Sequence, residues 1–476
     1  MLFHTPQFLI FFVIVYSLYR VLPHRLQNYM LLVASYVFYG AWEWRYLSLI
    51  FLSTVTDYFC GLNIDSHKEK KQKKVFLYIS IMVNLTLLGV FKYYDFFAAN
   101  FEGLMGSFGI EIQPYFLNVA LPIGISFYTF QTISYSVDVY RGRLRACRNF
   151  FDFALYVSFF PQLVAGPIER GVRLLPQILK PRKLSRDQML EGCYFILWGL
   201  FLKVVIADNM ADIVDPVFSL GSQNGAMIVL SIYAFAIQIF CDFCGYSLMA
   251  IGLASLMGIT LMENFRRPYF TKNISDFWRR WHISLSSWFR DYVFSPYYIY
   301  LQQVSFIKKR PLMVRHGIAF FTTLFVTEFM LGLWHGAGWN YAFFGVYHAL
   351  LIWVYYYTKK YWDKMPGLLQ IVLTFQIACV GWLIFRSSSM LQIQRLSAGI
   401  FGPWSLTDPQ FLAEAKKFIV LLLPLLLHEI VAEVKNKQNS IMLLPKYVQF
   451  PVYGGIIFAM MIFGQFVEKK FIYFQF

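Results

Sequence analysis

Charge is scarce in this sequence. Asp, Glu, Lys and Arg make up 14% of its 476 residues, against 58% apolar and 20% aromatic residues. A soluble domain carries about 25% charge, so a soluble globular protein is excluded. Also missing are any repeat of fixed period, any low-complexity linker and any long polar segment; the sequence therefore predicts one integrated membrane-embedded domain over residues 1–476. Cysteine is sparse, at positions 60, 147, 193, 241, 244 and 379. The one close pair, Cys241 and Cys244 in FCDFCGYS, lacks the second pair, the histidine partner or the strand–helix–strand context that zinc or redox use requires. Both are read as small core residues, and no metal is expected. The start, MLFHTPQF, lacks the basic n-region of a cleaved signal peptide, so it is read as part of an uncleaved first span with its N-terminus outside the cytoplasm.

What is abundant is apolar sequence. The runs at 11–19, 75–91, 228–240, 317–334, 368–385 and 450–467, with weaker ones at 28–41, 46–64, 118–137, 191–207 and 340–358, give about a dozen segments near the length that spans a bilayer as a helix. The fold class is an all-α polytopic membrane protein. The formal charge of +16 would suggest nucleic acid in a soluble chain, but the basic residues fall in short loops. Arg20, His24 and Arg25, then HKEKKQKK (67–74), then RGRLRACR (141–148) occupy alternate loops. This is the positive-inside pattern, and the partner it implies is membrane lipid, not nucleic acid.

Ionisable side chains among apolar runs mark the places to look for chemistry. In NISDFWRRWHISLSSWFRDYVF (273–294), helical periodicity puts Arg280, Ser284, Ser287 and Asp291 on one side and Trp278, Trp281, Leu285, Trp288, Phe289 and Tyr292 on the other, with Arg279, Ser286 and Arg290 flanking the polar stripe and His282 on the border. Two readings fit: an interfacial helix anchored by its tryptophans, or a basic, imidazole-bearing lining for the entry of an anionic cofactor. In GLWHGAGW (332–339), His335 follows an apolar run, with glycines that admit close approach beside Trp334 and Trp339. Desolvation there favours a neutral ring able to accept a proton, as a general base must; the alternative is a ring satisfied by a backbone carbonyl. Glu328, two turns or about 10.5 Å earlier, is too far to bond His335 directly. His348 reads as a core residue. Prolines 161, 167, 176 and 181 predict short broken helices over 159–186, where Arg170, Arg173, Lys180, Arg182, Lys183 and Arg186 could attract a nucleotide or lipid headgroups.

The stretch ENFRRPYFTKNISDFWRRWHISLSSWFRDYVF (263–294), followed by GLWHGAGWNY (332–341), resembles the membrane-bound O-acyltransferase family, in its bacterial alginate O-acetyltransferase-like branch. LLVASYVFYGAW (31–42), LPIGISFYTFQTISYSVDVYRG (121–142), FFPQLVAGPIER (159–170) and DFCGYSLMAIGLASLMGI (242–259) extend the resemblance over about residues 28–350; residues 351–476 are expected to add C-terminal transmembrane helices. The resemblance implies about eleven transmembrane helices, with short re-entrant pieces around a central tunnel. It makes His335 the catalytic histidine and His282 the second family histidine, with Trp334, Trp281, Arg279, Arg280, Arg290 and Asp291 as tunnel or substrate residues. It further implies acetyl-CoA as acyl donor, a polysaccharide acceptor outside the cytoplasm, a periplasmic SGNH-type partner, and the bacterial inner membrane as location.

One departure leaves the acyl group and the acceptor open. After RDYVF the chain reads SPYYIYLQQVSFIKKR (295–310) where alginate-type relatives carry a glycine-rich stretch, which is closer to the branch that transfers D-alanine to teichoic acids. Cys244 stands where serine is common, and Glu328 belongs to no family motif. The competing functions are D-alanyl transfer to a cell-wall polymer and, from another class, a proton-coupled transporter or flippase; against the latter, no matching broken helices recur in two halves.

Overall fold

A computed structural model of the chain describes residues 1–466, 469, 471 and 472. All regular structure among the described residues is helical. Seven helical segments, His24–Ser66, Lys70–Ser107, Arg186–Leu220, Gly225–Leu256, Leu312–His335, Gly367–Arg386 and Lys446–Phe463, are long and apolar enough to cross a membrane. The all-α polytopic membrane architecture expected from composition is thus the one observed. The run predicted at 450–467 falls on the last of these segments, with residue 467 outside the described residues.

The backbone divides into two compact units, Met1–Cys193 with Ala250–Met262, and Tyr194–Met249 with Glu263–Phe476. In the first, α1 (Pro6–Val21) starts from Thr5, whose hydroxyl accepts from the Phe8 N–H, with Pro6 at the first helical position, where its missing N–H costs nothing. Then come α2 (His24–Glu43), α3 (Leu47–Ser66), α4 (Lys70–Leu88), α5 (Tyr94–Ser107) and α6 (Ile125–Tyr140). Helices α3, α4 and α6 meet around the fully buried Asp57. Its carboxylate accepts hydrogen bonds from Ser80, from Asn84 Nδ2 at 2.6 Å and from Ser136 Oγ at 2.9 Å. Asn84 Oδ1 in turn accepts from Ser53 at 2.7 Å and Thr132 at 3.1 Å. A carboxyl group at membrane depth is tolerated only when so surrounded.

The proline-rich stretch breaks as anticipated, into α7 (Phe150–Ser158), α8 (Phe160–Leu163) and α9 (Gly171–Leu179). Pro161 sits in the first turn of α8 and Pro181 follows α9, but Pro176 lies inside α9. Asn28 ties the pieces to α2, donating to Asp152 at 2.8 Å and to the Ile178 carbonyl at 3.0 Å while accepting from Arg182 at 2.7 Å.

Helix α10 (Arg186–Phe201) leads through a π-helical turn, Leu202–Ala207, into α11 (Asp208–Leu220), and α12 (Gly225–Leu256) follows. Within the second unit, Lys203 of the π turn lies 2.8 Å from both Asp208 and Asp242, all three being nearly inaccessible. Two carboxylates around one ammonium offset part of the cost of burying it. Phe243, next to Asp242, packs its ring edge-on against His282 with centres 4.6 Å apart. Short helices α13 (Ile274–Arg280), α14 (Ile283–Phe289), α15 (Ser295–Gln303) and α16 (Ser305–Lys308) precede α17 (Leu312–His335) and α18 (Trp339–Trp362). Then follow α19 (Gly367–Arg386), α20 (Met390–Ile400), α21 (Pro409–Lys435) and α22 (Lys446–Phe463). The apolar runs did not foreshadow α21, because Glu414, Lys416, Lys417 and Pro424 interrupt it.

Asp57→Ala leaves the Ser80, Asn84 and Ser136 donors without their acceptor, at about 1–3 kcal/mol for each buried group unpaired. The expected outcome is a clear fall in the thermal midpoint of detergent-purified protein, with Asp57→Asn lying between the variant and wild type.

Candidate active site

Residues 273–294 do not form the single amphipathic helix that their periodicity suggests. Asn273 caps α13, its side chain accepting from the Asp276 N–H, and α13 stops after seven residues. The chain turns through His282 in a left-handed conformation, φ 43° and ψ 55°, before α14 begins. This conformation is uncommon outside glycine, and backbone pairing on both sides holds it. Arg266 N donates to Arg280 O and Ile283 N to Asn264 O, each at 2.9 Å. The Asn264 side chain accepts from Ser284 Oγ at 2.9 Å and donates to Ser247 Oγ at 3.0 Å. Tertiary hydrogen bonds therefore override the helical pattern at this point.

The predicted aromatic face is buried in protein. Trp278, Trp281, Leu285, Trp288 and Phe289 are all buried, Trp281 against Trp382 with ring centres 4.6 Å apart. The anchor reading, tryptophans laid into lipid, does not describe them. The turn aims His282 inward, where it is wholly buried with its ring 4.6 Å from Phe243, 6.5 Å from Phe265 and 5.7 Å from Trp334. His282 lies outside the candidate spans, and burial, with a smaller contribution from neighbouring His335, holds its imidazole well below the usual protonation range.

His335 is the last residue of α17. Its ring centre is 5.1 Å from Trp334, 5.1 Å from Phe385 and 6.0 Å from Phe344. Trp334 thus contacts both imidazoles. The helices α17 and α18 form an antiparallel hairpin, seen in the pairs Phe321–Trp353, 5.4 Å between ring centres, and Phe320–Tyr356, 4.8 Å. A side chain at Gly332 would run into the Tyr341 carbonyl, one at Gly345 into the Glu328 carbonyl, and one at Gly336 into the Tyr341 ring. These contacts account for the glycines of the GLWHGAGW stretch: close helix approach places His335.

Alongside lies a cavity of about 840 Å³, walled by α13, α14, α17 and α18. Arg279, Arg290 and Lys359 are on its wall, with Ser286, Ser287, Thr327 and Glu328. The two histidines are not. The wall residues nearest to them in the chain are Ile283, beside His282, and Leu331, one turn before His335. Of the other residues singled out from sequence, Arg280 is held by Asp276 at 3.3 Å and Glu433 at 3.4 Å, and Asp291 pairs with Arg290 at 2.8 Å; neither Arg280 nor Asp291 lines the cavity. The structure therefore brings together His282, Trp334 and His335, with Trp281 packed close by, and divides the arginines between the cavity wall and the scaffold.

Sequence reasoning missed Asn264 and Glu433. Glu433 on α21 also holds the buried Arg267, a contact 166 residues apart that no local pattern reveals. Asn264 sits in the quoted motif, yet its role depends on a pairing that periodicity does not report.

An all-helical membrane protein with two buried imidazoles about one tryptophan, beside a polar cavity with cationic side chains, falls in the class of integral membrane proteins built around an enclosed histidine site. The chain belongs to the MBOAT, membrane-bound O-acyltransferase family, whose model matches residues 32–394. It is 38% identical over 418 residues to a probable alginate O-acetylase of Azotobacter vinelandii, covering 86% of this chain and 80% of that protein. It is 33% identical to the peptidoglycan O-acetyltransferase of Helicobacter pylori, covering 88% and 83%, and 34% identical to the teichoic acid D-alanyltransferase of Bacillus subtilis, covering 55% and 68%. The chain is accordingly an acyltransferase, and the transporter reading falls away.

Asn264→Leu removes the side-chain partners of Ser284 and Ser247 at the His282 turn. The thermal midpoint should drop, since each buried group left unpaired costs about 1–3 kcal/mol, and an unchanged midpoint would show that the turn stands without it.

Proposed function

We propose that this protein moves an acetyl group from acetyl-CoA, entering from the cytoplasm, to a hydroxyl of an extracytoplasmic polysaccharide or of a periplasmic SGNH-type partner, across the bacterial inner membrane. The similarity to acetylases over most of the chain supports the acyl group. The observation that carries the site assignment is the meeting of His282, Trp334 and His335 next to a cavity bearing Arg279, Arg290 and Lys359. Orientation follows from charge: Lys308, Lys309, Arg310 and Arg315 flank the start of α17, and Lys359, Lys360 and Lys364 the end of α18. Those ends belong on the cytoplasmic side. The phosphates of CoA then meet the cationic side chains, and the thioester travels inward along α17 past Leu331.

At His335 the chemistry is an acyl exchange. The acceptor hydroxyl attacks the thioester carbonyl as His335 takes its proton, the carbon–sulfur bond breaks, and the proton goes to the departing thiolate to give CoA–SH and the O-acetyl ester. His282, neutral in its buried setting, orients the reactants. Because the site is walled by protein, the CoA body stays inside the cell while only the acetyl group crosses.

D-alanyl transfer is the second reading, supported by the similarity to the teichoic acid enzyme and by the SPYYIYLQQ sequence that follows the histidine helix. Purified protein supplied with its cognate partner and with either acetyl-CoA or a D-alanyl thioester separates the two. With the preferred donor, His335→Ala should lower thiol release by about 10²–10⁴-fold, the usual contribution of a general base, while donor binding persists; undiminished turnover would remove His335 from the mechanism. Arg279→Ala and Arg290→Ala should raise the donor KM several-fold, whereas Arg280→Ala should lower the thermal midpoint and leave donor KM within about twofold, because its partners are Asp276 and Glu433.

A further inference from the structure

The cavity wall carries three hydrogen-bonding atoms for which the described residues supply no partner. Trp278 Nε1, Thr327 Oγ1 and Glu328 Oε2 are each buried without a hydrogen-bond partner, and all three residues line the cavity. Trp278 is 7% exposed and Thr327 4%. Buried polar groups are nearly always paired, so three orphans around one space describe a ligand's complement. Trp278 can only donate, Thr327 can donate and accept, and the unmatched Glu328 Oε2 can accept. A ligand that presents both an acceptor and a donor satisfies all three. A secondary amide does so, with its C=O and N–H on opposite edges.

Position along the hairpin narrows the choice. Phe320 and Lys359 line the cavity toward the basic ends of α17 and α18, and Leu331 lines it toward His335. Thr327 and Glu328 lie between, Glu328 being seven residues or about 10.5 Å along the helix from His335. Resting on the CoA-thioester reading above, we propose that Trp278, Thr327 and Glu328 hold an amide of the donor's pantetheine arm, fixing how far the thioester reaches toward His335. Phosphate at the cationic side chains, amide at this station and thioester at the imidazole follow the order of groups in the donor itself. A sugar hydroxyl of the acceptor is the other chemistry that could satisfy these atoms; it is disfavoured because the cavity bears the phosphate-seeking cations of the donor side.

The test is a cycle between enzyme and donor. Thiol release is measured for wild type, Thr327→Val, Glu328→Leu and Glu328→Gln with acetyl-CoA, S-acetylpantetheine and the amide-free S-butyl thioacetate, using a mannuronate oligosaccharide as acceptor with the cognate partner. Thr327→Val and Glu328→Leu should raise KM about tenfold for the two amide-bearing donors, the scale of one net hydrogen bond. They should change kcat less than about twofold and leave S-butyl thioacetate unaffected. Glu328→Gln, which still accepts a hydrogen bond, should recover most of the loss, and Thr327→Val carries the test if Glu328→Leu does not fold. A penalty equal for all three donors, or one that falls on the oligosaccharide KM, would overturn the amide station. Wild-type protein that turns over no thioester at all would instead overturn the parent reading, a result distinct from either.

Discussion

The site depends on a helix that stops. Had residues 273–294 continued as one helix, His282 would project from the boundary between an aromatic and a polar face. Instead, two backbone hydrogen bonds from Arg266 and Ile283, with the Asn264 side chain, close a left-handed turn at His282 and direct its ring into the protein. A left-handed residue costs about 1–2 kcal/mol, and the interactions around the turn offset it. The same arrangement leaves Trp281 in the core and Arg280 on Glu433. The turn therefore determines both which side chains serve the cavity and which become scaffold.

The second requirement is close helix packing. Glycines at 332, 336 and 345 bring α18 against α17, so that His335 ends its helix within a cage of Trp334, Phe344 and Phe385. In the second unit Lys203 has two carboxylates, and Arg267 and Arg280 share Glu433. Glu328 differs from these, an ionisable group on the cavity wall with one oxygen unmatched. In a low-dielectric setting such a group is expensive unless something binds it.

Much of the fold was legible because a membrane imposes length and apolarity on each span, and those survive in a single sequence. The runs at 28–41 and 46–64 became α2 and α3, and the run at 317–334 became α17. Helix α21 escaped because Glu414, Lys416, Lys417 and Pro424 interrupt its apolar run, and the contacts of Lys417 with Asp212 and of Glu433 with Arg267 join residues far apart in the sequence. The two histidines and Trp334 could be singled out from their setting and from the family resemblance. What periodicity could not supply was the turn at His282, since it rests on residues 264–266, or the division of labour among Arg279, Arg280 and Arg290, since that depends on whether Glu433 is within reach. Glu328 was visible as an oddity, and only the cavity gave it a context.

The central claim is that the donor reaches the histidines through this cavity from the face bearing the basic loops. Cys193 is exposed and the other five cysteines are buried, so a Cys193→Ser background permits a single reporter, Leu324→Cys, on the cavity wall. Labelling it with a membrane-impermeant maleimide in intact spheroplasts and in inside-out vesicles measures the claim directly. The account predicts modification in inside-out vesicles only, suppressed by acetyl-CoA; modification from the outer face alone, or modification indifferent to acetyl-CoA, would contradict it.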